Sequence, residues 1–226
     1  MIKKIVAYGD SFVQGGGLNP DDAMAIHPDS WPFQLGKKLG VPVSNRGKGG
    51  GSNKLSIIKL MEDADRGLLT KDTLVVFAWT GIQRTTYYDQ NNNEWNDLLI
   101  GHTHQTPSRM LIHKLYYERM YSDYDAILQL FQQQMFVDFY LKWLGVKHFF
   151  VNSFSEFSYL PIAACPVKLA DDFKENYLLG YSNSLLDEIV RTRGLVCSDT
   201  YHPSIEGHAL IAALMEDYIK DRGLNG

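Results

Sequence analysis

The sequence predicts an α/β protein, a three-layer α/β/α sandwich on a flavodoxin-like parallel sheet of about five strands. Three observations carry that expectation. Compact, β-rich apolar runs recur along the chain, helical patterns separate them, and a polar cluster follows directly on most of the runs. Apolar runs without polar alternation are those of strands covered on both faces, as in a parallel sheet.

The elements follow in order. KKIVAY (3–8), VPVSN (41–45), TLVVFAW (73–79) and VKHFFVN (146–152) read as four strands, and GLVCS (194–198) as a weaker fifth. Before the fourth run, Ile127, Phe131, Met135, Phe139 and Trp143 recur every four residues. They predict a helix that packs this face inward and stops near Gly145. A second helix is expected from Ser184 to Arg193, before Gly194, and a third from about Ser204 to Arg222, after Pro203. Alternation of strand and crossover calls for right-handed connections.

With 226 residues, 45% hydrophobic and 21% charged, the chain suits one domain spanning 1–226, with an aromatic-rich insertion at about 85–125. A formal charge of −4 gives no basic footprint for nucleic acid, and the longest apolar runs fall short of a bilayer span, so neither nucleic acid nor membrane is an expected partner. IVAY is too short for the core of a signal peptide, and a cytoplasmic protein is expected. Cys165 and Cys197 are expected to be buried small hydrophobes. His102 and His104 read as part of a polar loop, and no metal is expected.

The polar clusters point to one place. Gly9, Asp10 and Ser11 follow the first strand, NRGKGGGSN (45–53) the second, TGIQR (80–84) the third, and Asp199 with His202 the last. In an open parallel sheet those ends share one edge, where ligands bind. A serine hydroxyl becomes a strong nucleophile when an imidazole takes its proton, and a carboxylate holds that imidazole in the right tautomer. Asp199 and His202 stand three apart, which on a helical turn points both side chains the same way. Ser11 alone reads as a helix N-cap, but joint placement at strand ends favours catalysis.

These residues resemble the SGNH or GDSL hydrolases. Gly9, Asp10 and Ser11 match the family's first block, and Asp199, Thr200, Tyr201, His202 and Pro203 its last, with Gly207 and Ala209 following at the familiar spacing. The resemblance implies Ser11 as nucleophile, His202 as base and Asp199 as its orienter. Asn45 and Gly50 match the second block, which implies oxyanion binding by the backbone N–H groups of Gly50 and Ser11. The third block departs from the pattern. Where the family has Gly-x-Asn-Asp, this chain has Gly81, Ile82, Gln83 and Arg84. Anchoring on Gly81 puts Gln83 at the oxyanion asparagine, whereas anchoring on the strand puts Ile82 there; Gln83, Asn53 and Arg84 are candidate donors. One missing donor lowers turnover by roughly 10² to 10³.

Competing motifs fail: G-x-S-x-G, the phosphate-loop motif and G-x-G-x-x-G are absent, the last with Ser52 in its final place. Nucleotide binding on a flavodoxin-like fold is therefore disfavoured. The 85–125 segment holds Tyr87, Tyr88, Tyr116, Tyr117, Tyr121 and Tyr124, with Trp95 inside an Asn-rich turn, and Tyr117, Tyr121 and Tyr124 are expected to share a helical face. Such a segment is expected to pack its own small core, and following the third strand it is placed to overhang the site, with aromatic faces suited to sugars or aryl acyl groups. The expected function is cleavage of a small acyl ester on a small molecule or carbohydrate through an acyl-serine, without a cofactor. The alternative is a non-catalytic glycan- or protein-binding module on the same fold.

Overall fold

The computed structural model describes residues 1–19, 22, 25–99, 107–154, 174–197 and 200–225. In chain order the elements are β1 (Lys4–Tyr8), α1 (Ser11–Gln14), α2 (Trp31–Leu39), β2 (Val43–Asn45), α3 (Asn53–Asp65), β3 (Thr73–Trp79), β4 (Thr85–Asp89), β5 (Glu94–Leu98), α4 (Pro107–Leu115), α5 (Asp123–Trp143), β6 (Lys147–Asn152) and α6 (Ile205–Asp221). β1, β2, β3 and β6 form one parallel sheet in the order β2-β1-β3-β6. β4 and β5 make a separate antiparallel hairpin.

Side chains alternate across a strand, and that period of two divides the core in two. Ile5, Ala7, Leu74, Val76, Phe149 and Val151 face one side, packed with Trp31 and Leu35 of α2 and Ile211, Met215 and Ile219 of α6. Val6, Tyr8, Val75, Phe77, Trp79 and Phe150 face the other, packed with Leu60 of α3 and Leu130, Phe131, Val137 and Leu141 of α5. All seven residues of β3 are buried, as an apolar run between two helical layers requires.

Four of the five expected strands form. Residues 194–197 make only an isolated antiparallel bridge, Val196 to Pro203. Their backbone groups are spent on a tight loop instead: Ser204 N donates to Leu195 O at 2.9 Å and Cys197 N to His202 O at 3.0 Å. The place beside β6 goes to a short stretch around Tyr177, with Phe150 N donating to Asn176 O (2.8 Å) and Leu178 N to Phe150 O (2.9 Å).

α5 is where sequence predicts, but its inward face is different. Leu130, Phe131, Gln134, Val137, Asp138 and Leu141 are buried, while Phe139 and Trp143 are 63% and 77% exposed. An α-helix advances about 100° per residue, so a strict four-residue repeat drifts about 40° per step and spirals off the core. The second expected helix is a π-helical turn, Leu186–Arg191. α6 lies within the third. Cys197 is half-buried, its thiol 3.5 Å from Pro203 O. Cys165, His102 and His104 lie outside the described residues. No described helix is long and apolar enough to cross a membrane.

Candidate active site

β1 ends at Tyr8, and the chain turns through Gly9 into the single turn of α1. The Asp10 carboxylate caps that turn, accepting from Phe12 N at 3.0 Å, and sets Ser11 at the helix start. His202 sits in the loop before α6, held by its carbonyl to Cys197 N and by its own N–H to Thr200 Oγ1 at 3.3 Å. Across 191 residues of sequence, His202 Nε2 comes to 2.9 Å from Ser11 Oγ. A Cβ on Gly16 would stand 2.9 Å from Ser11 Cβ and 3.1 Å from His202 Nε2, so only a glycine lets the chain pass so close to this pair.

Burial holds the His202 imidazole below its ordinary pKa; the Asp10 charge pulls upward and the Arg84 charge pushes down. The ring is therefore mainly neutral at pH 7. A neutral ring with its hydrogen on Nδ1 accepts the Ser11 hydrogen at Nε2. Nδ1 is buried and has no hydrogen-bond partner among the described residues. Asp199, the expected partner, lies outside them.

Asp10 has no exposure at all, and it also accepts from Thr80 Oγ1 (2.6 Å), Ser153 Oγ (3.2 Å) and Arg84 Nη1 (3.2 Å). The Arg84 guanidinium lies 4.8 Å from the Phe154 ring centroid. Sequence reasoning gave Asp10 no such role and missed Thr80 and Ser153 as its partners. Each of these two is the first residue beyond a strand of the sheet, so the strand-end rule that found the other clusters reaches them too.

The second-block loop is anchored from several sides. Asn45 Nδ2 donates to Val13 O (2.7 Å) and Ser30 Oγ (3.1 Å), and its Oδ1 accepts from Gly47 N (2.9 Å). Gly50 has φ +70°, a conformation that favours glycine. Asn53 uses both ends of its amide on Thr80, donating to its carbonyl at 3.0 Å and accepting from its N–H at 2.8 Å. Gln83 is half-buried, and its backbone carbonyl takes the Tyr117 hydroxyl at 2.5 Å. Of the three donor candidates, Arg84 is the one bonded to Asp10, beside Ser11.

The tyrosine cluster differs from expectation by one member. Tyr116, Tyr117 and Tyr121 contact one another at 5.0 to 6.2 Å between centroids, while Tyr124 is 58% exposed. A π-helical turn over Tyr116–Met120, closed by Tyr121 N on Tyr116 O, widens the helix and brings residues five apart together; Ser122 then caps a new helix.

Fold and site together define an α/β protein that presents a serine–histidine pair at the carboxyl edge of a parallel sheet. Residues 19–225 match the model of a family of unknown function (DUF6071), and the chain belongs to that family. No curated protein matches it. Among solved structures, the chain is similar to a lipase/acylhydrolase from Enterococcus faecalis, with 15% identity, coverage of 98% of this chain and 97% of that one, and a TM-score of 0.52. It is also similar to a catalytic mutant of Axe2, an acetylxylan esterase from Geobacillus stearothermophilus (15% identity, 96% and 94% covered, TM-score 0.48). A third is AlinE4, an SGNH-hydrolase family esterase (14% identity, 98% and 97% covered, TM-score 0.43). At such identity the E. faecalis structure establishes the shared fold, a mostly parallel sheet flanked by helices.

Proposed function

We propose that this chain is an SGNH-type serine esterase acting through an acyl-serine intermediate. The observation that carries the reading is the 2.9 Å approach of His202 Nε2 to Ser11 Oγ. Ser11 Oγ attacks the ester carbonyl carbon as its proton passes to Nε2. The resulting oxyanion is held by the N–H groups of Ser11 and Gly50. His202 then protonates the departing alcohol oxygen, and the acyl group stays on Ser11. Water, deprotonated by the same imidazole, attacks the acyl-serine; the carboxylic acid leaves and Ser11 regains its hydrogen. Asp199 is assigned to Nδ1, whose lack of a partner among the described residues leaves that place for a carboxylate. For the third oxyanion donor, Arg84 is better supported than Gln83 or Asn53. It is a cation bonded to Asp10, whereas Asn53 holds Thr80 and no side-chain hydrogen bond of Gln83 is found among the described residues.

The substrate class is a small acyl ester on a carbohydrate. Tyr88 and Trp95 support it: their rings meet edge to face at 5.1 Å on the β4–β5 hairpin, and both are partly exposed, the kind of surface on which sugar rings stack. A screen of short-chain aryl esters and acetylated sugars, run beside Ser11→Ala, tests the reading. Turnover by the wild type should fall at least roughly 10³-fold in Ser11→Ala. Equal hydrolysis by both proteins would place the activity elsewhere.

A further inference from the structure

We infer that the β4–β5 hairpin is a clamp on the second-block loop, and that Asp97 is the positioning residue that holds Gly50 where its N–H can meet an oxyanion. This rests on the esterase reading and adds a part to it. Thr86 and Asp97 are cross-strand partners, as are Tyr88 and Trp95, so the four share one face of the hairpin. That face meets the loop at two points and the first turn of α3 at a third. Asp97 Oδ2 accepts from Lys48 Nζ at 2.7 Å, Thr86 Oγ1 lies 2.6 Å from Ser52 Oγ, and Lys54 Nζ lies 5.7 Å from the Trp95 ring centroid.

The hydrogens can be followed along the chain of contacts. Thr86 Oγ1 donates to Asp97 Oδ1 at 2.5 Å, which uses its one hydrogen, so Ser52 is the donor to Thr86. Ser52 Oγ in turn accepts from Leu55 N at 3.2 Å as the N-cap of α3. Each group has its partner, and Ser52 and Thr86 are buried, so the chain is held tightly. The Asp97 side chain is 9% exposed, which shields its pairing with Lys48 from solvent.

The two anchor points lie at Lys48 and Ser52, two residues on either side of Gly50. Between them, Gly51 N closes a turn on Lys48 O at 2.9 Å, and Lys48 N donates to Gly9 O at 3.1 Å, which ties the loop to the strand end that carries Ser11. Leu99, just past β5, covers Gly50: a Cβ there would sit 3.4 Å from both Leu99 methyls. The hairpin thus fixes both ends of the short segment that carries the proposed donor, and Asp97 and Thr86 act only through that segment.

Asp97→Asn keeps the shape of the side chain and removes its charge. Hydrogen exchange of residues 47–53 should quicken, with β1 and β3 unchanged, and kcat for an aryl ester should fall roughly ten-fold while KM stays within about two-fold, because a displaced donor is felt mainly in the transition state. Lys48→Met should repeat both effects, Lys48→Arg should restore them, and the double variant should be no worse than either single one. Unaltered loop exchange with full kcat in Asp97→Asn would overturn the clamp. Absence of ester hydrolysis in the wild type, with the loop still loosened by Asp97→Asn, would overturn the esterase reading and with it the catalytic role of Asp97.

Discussion

The Asp10 carboxylate lies entirely out of solvent, with Phe12 N, Thr80 Oγ1, Ser153 Oγ and Arg84 Nη1 arranged around it. Charge-assisted bonds of this number compensate for lost hydration, and they fix the backbone that bears Ser11. The same carboxylate and its guanidinium act on His202 in opposite senses, below the larger effect of burial. Because the folded pKa lies below 6.5, esterase activity should be full near neutrality and fall on acidification with a midpoint under 6.5, as the imidazole gains the proton that stops it accepting another. Arg84→Ala removes a positive charge that disfavours imidazolium, so its kcat/KM profile should show an acid limb displaced to higher pH. An unmoved limb would separate Arg84 from His202. Pairing of Ser11 with His202 was legible from sequence because each stands in a polar block after an expected strand, although the last of those runs forms only an isolated bridge. The role of Asp10 was not, since the strand-end rule brings Thr80 and Ser153 to the same edge without saying which carboxylate they bond.

At the scale of elements, the sheet was legible because β1, β3 and β6 are short, β-rich and mostly apolar, and all but Lys4 and Lys147 at their first positions are buried. The inward face of α5 was harder to read. Apolar residues lie all around this helix, so two stripes compete, and contact with β3 and β6 selects Leu130, Val137 and Leu141 over Met135, Phe139 and Trp143. Leu141→Ala should therefore cost about 2 to 5 kcal/mol of unfolding free energy. Phe139→Ala, at an exposed position, should change it by less than about 0.5 kcal/mol. Urea denaturation of the two variants checks the assignment, and a reversed order would return the inward face to the four-residue repeat. The hairpin's hold on Lys48 and Ser52 was illegible for a different reason. It depends on the register of Thr86 with Asp97, which two polar strands do not specify from their own pattern.

Across the whole molecule, α2 and α6 close one face of the sheet, and His208 joins them. Its Nδ1 accepts from Trp31 N at 3.2 Å, and burial, helped by the charges of His202 and His27, pushes its pKa down to about 3. An unfolded chain takes up this proton below pH 6.5, whereas the folded one does so only near pH 3, so stability should fall with pH across that window. The slope from this group reaches about 1.4 kcal/mol per pH unit. His208→Asn keeps an acceptor for Trp31 and should flatten the acid dependence of urea unfolding by that amount; an unchanged slope would mean that His208 is protonated in the fold. The same three-layer arrangement brings residues 11 and 202 together, and in the proposed mechanism this pairing makes Ser11 a nucleophile. Its most direct test is intact-protein mass spectrometry after treatment with a serine-directed phosphonate. Wild type should gain the mass of one phosphonyl group at Ser11, His202→Ala should react at least roughly 10²-fold more slowly, and Ser11→Ala should gain none. Labelling of Ser11→Ala at the wild-type rate, or a wild type that stays unmodified at neutral pH, would contradict it.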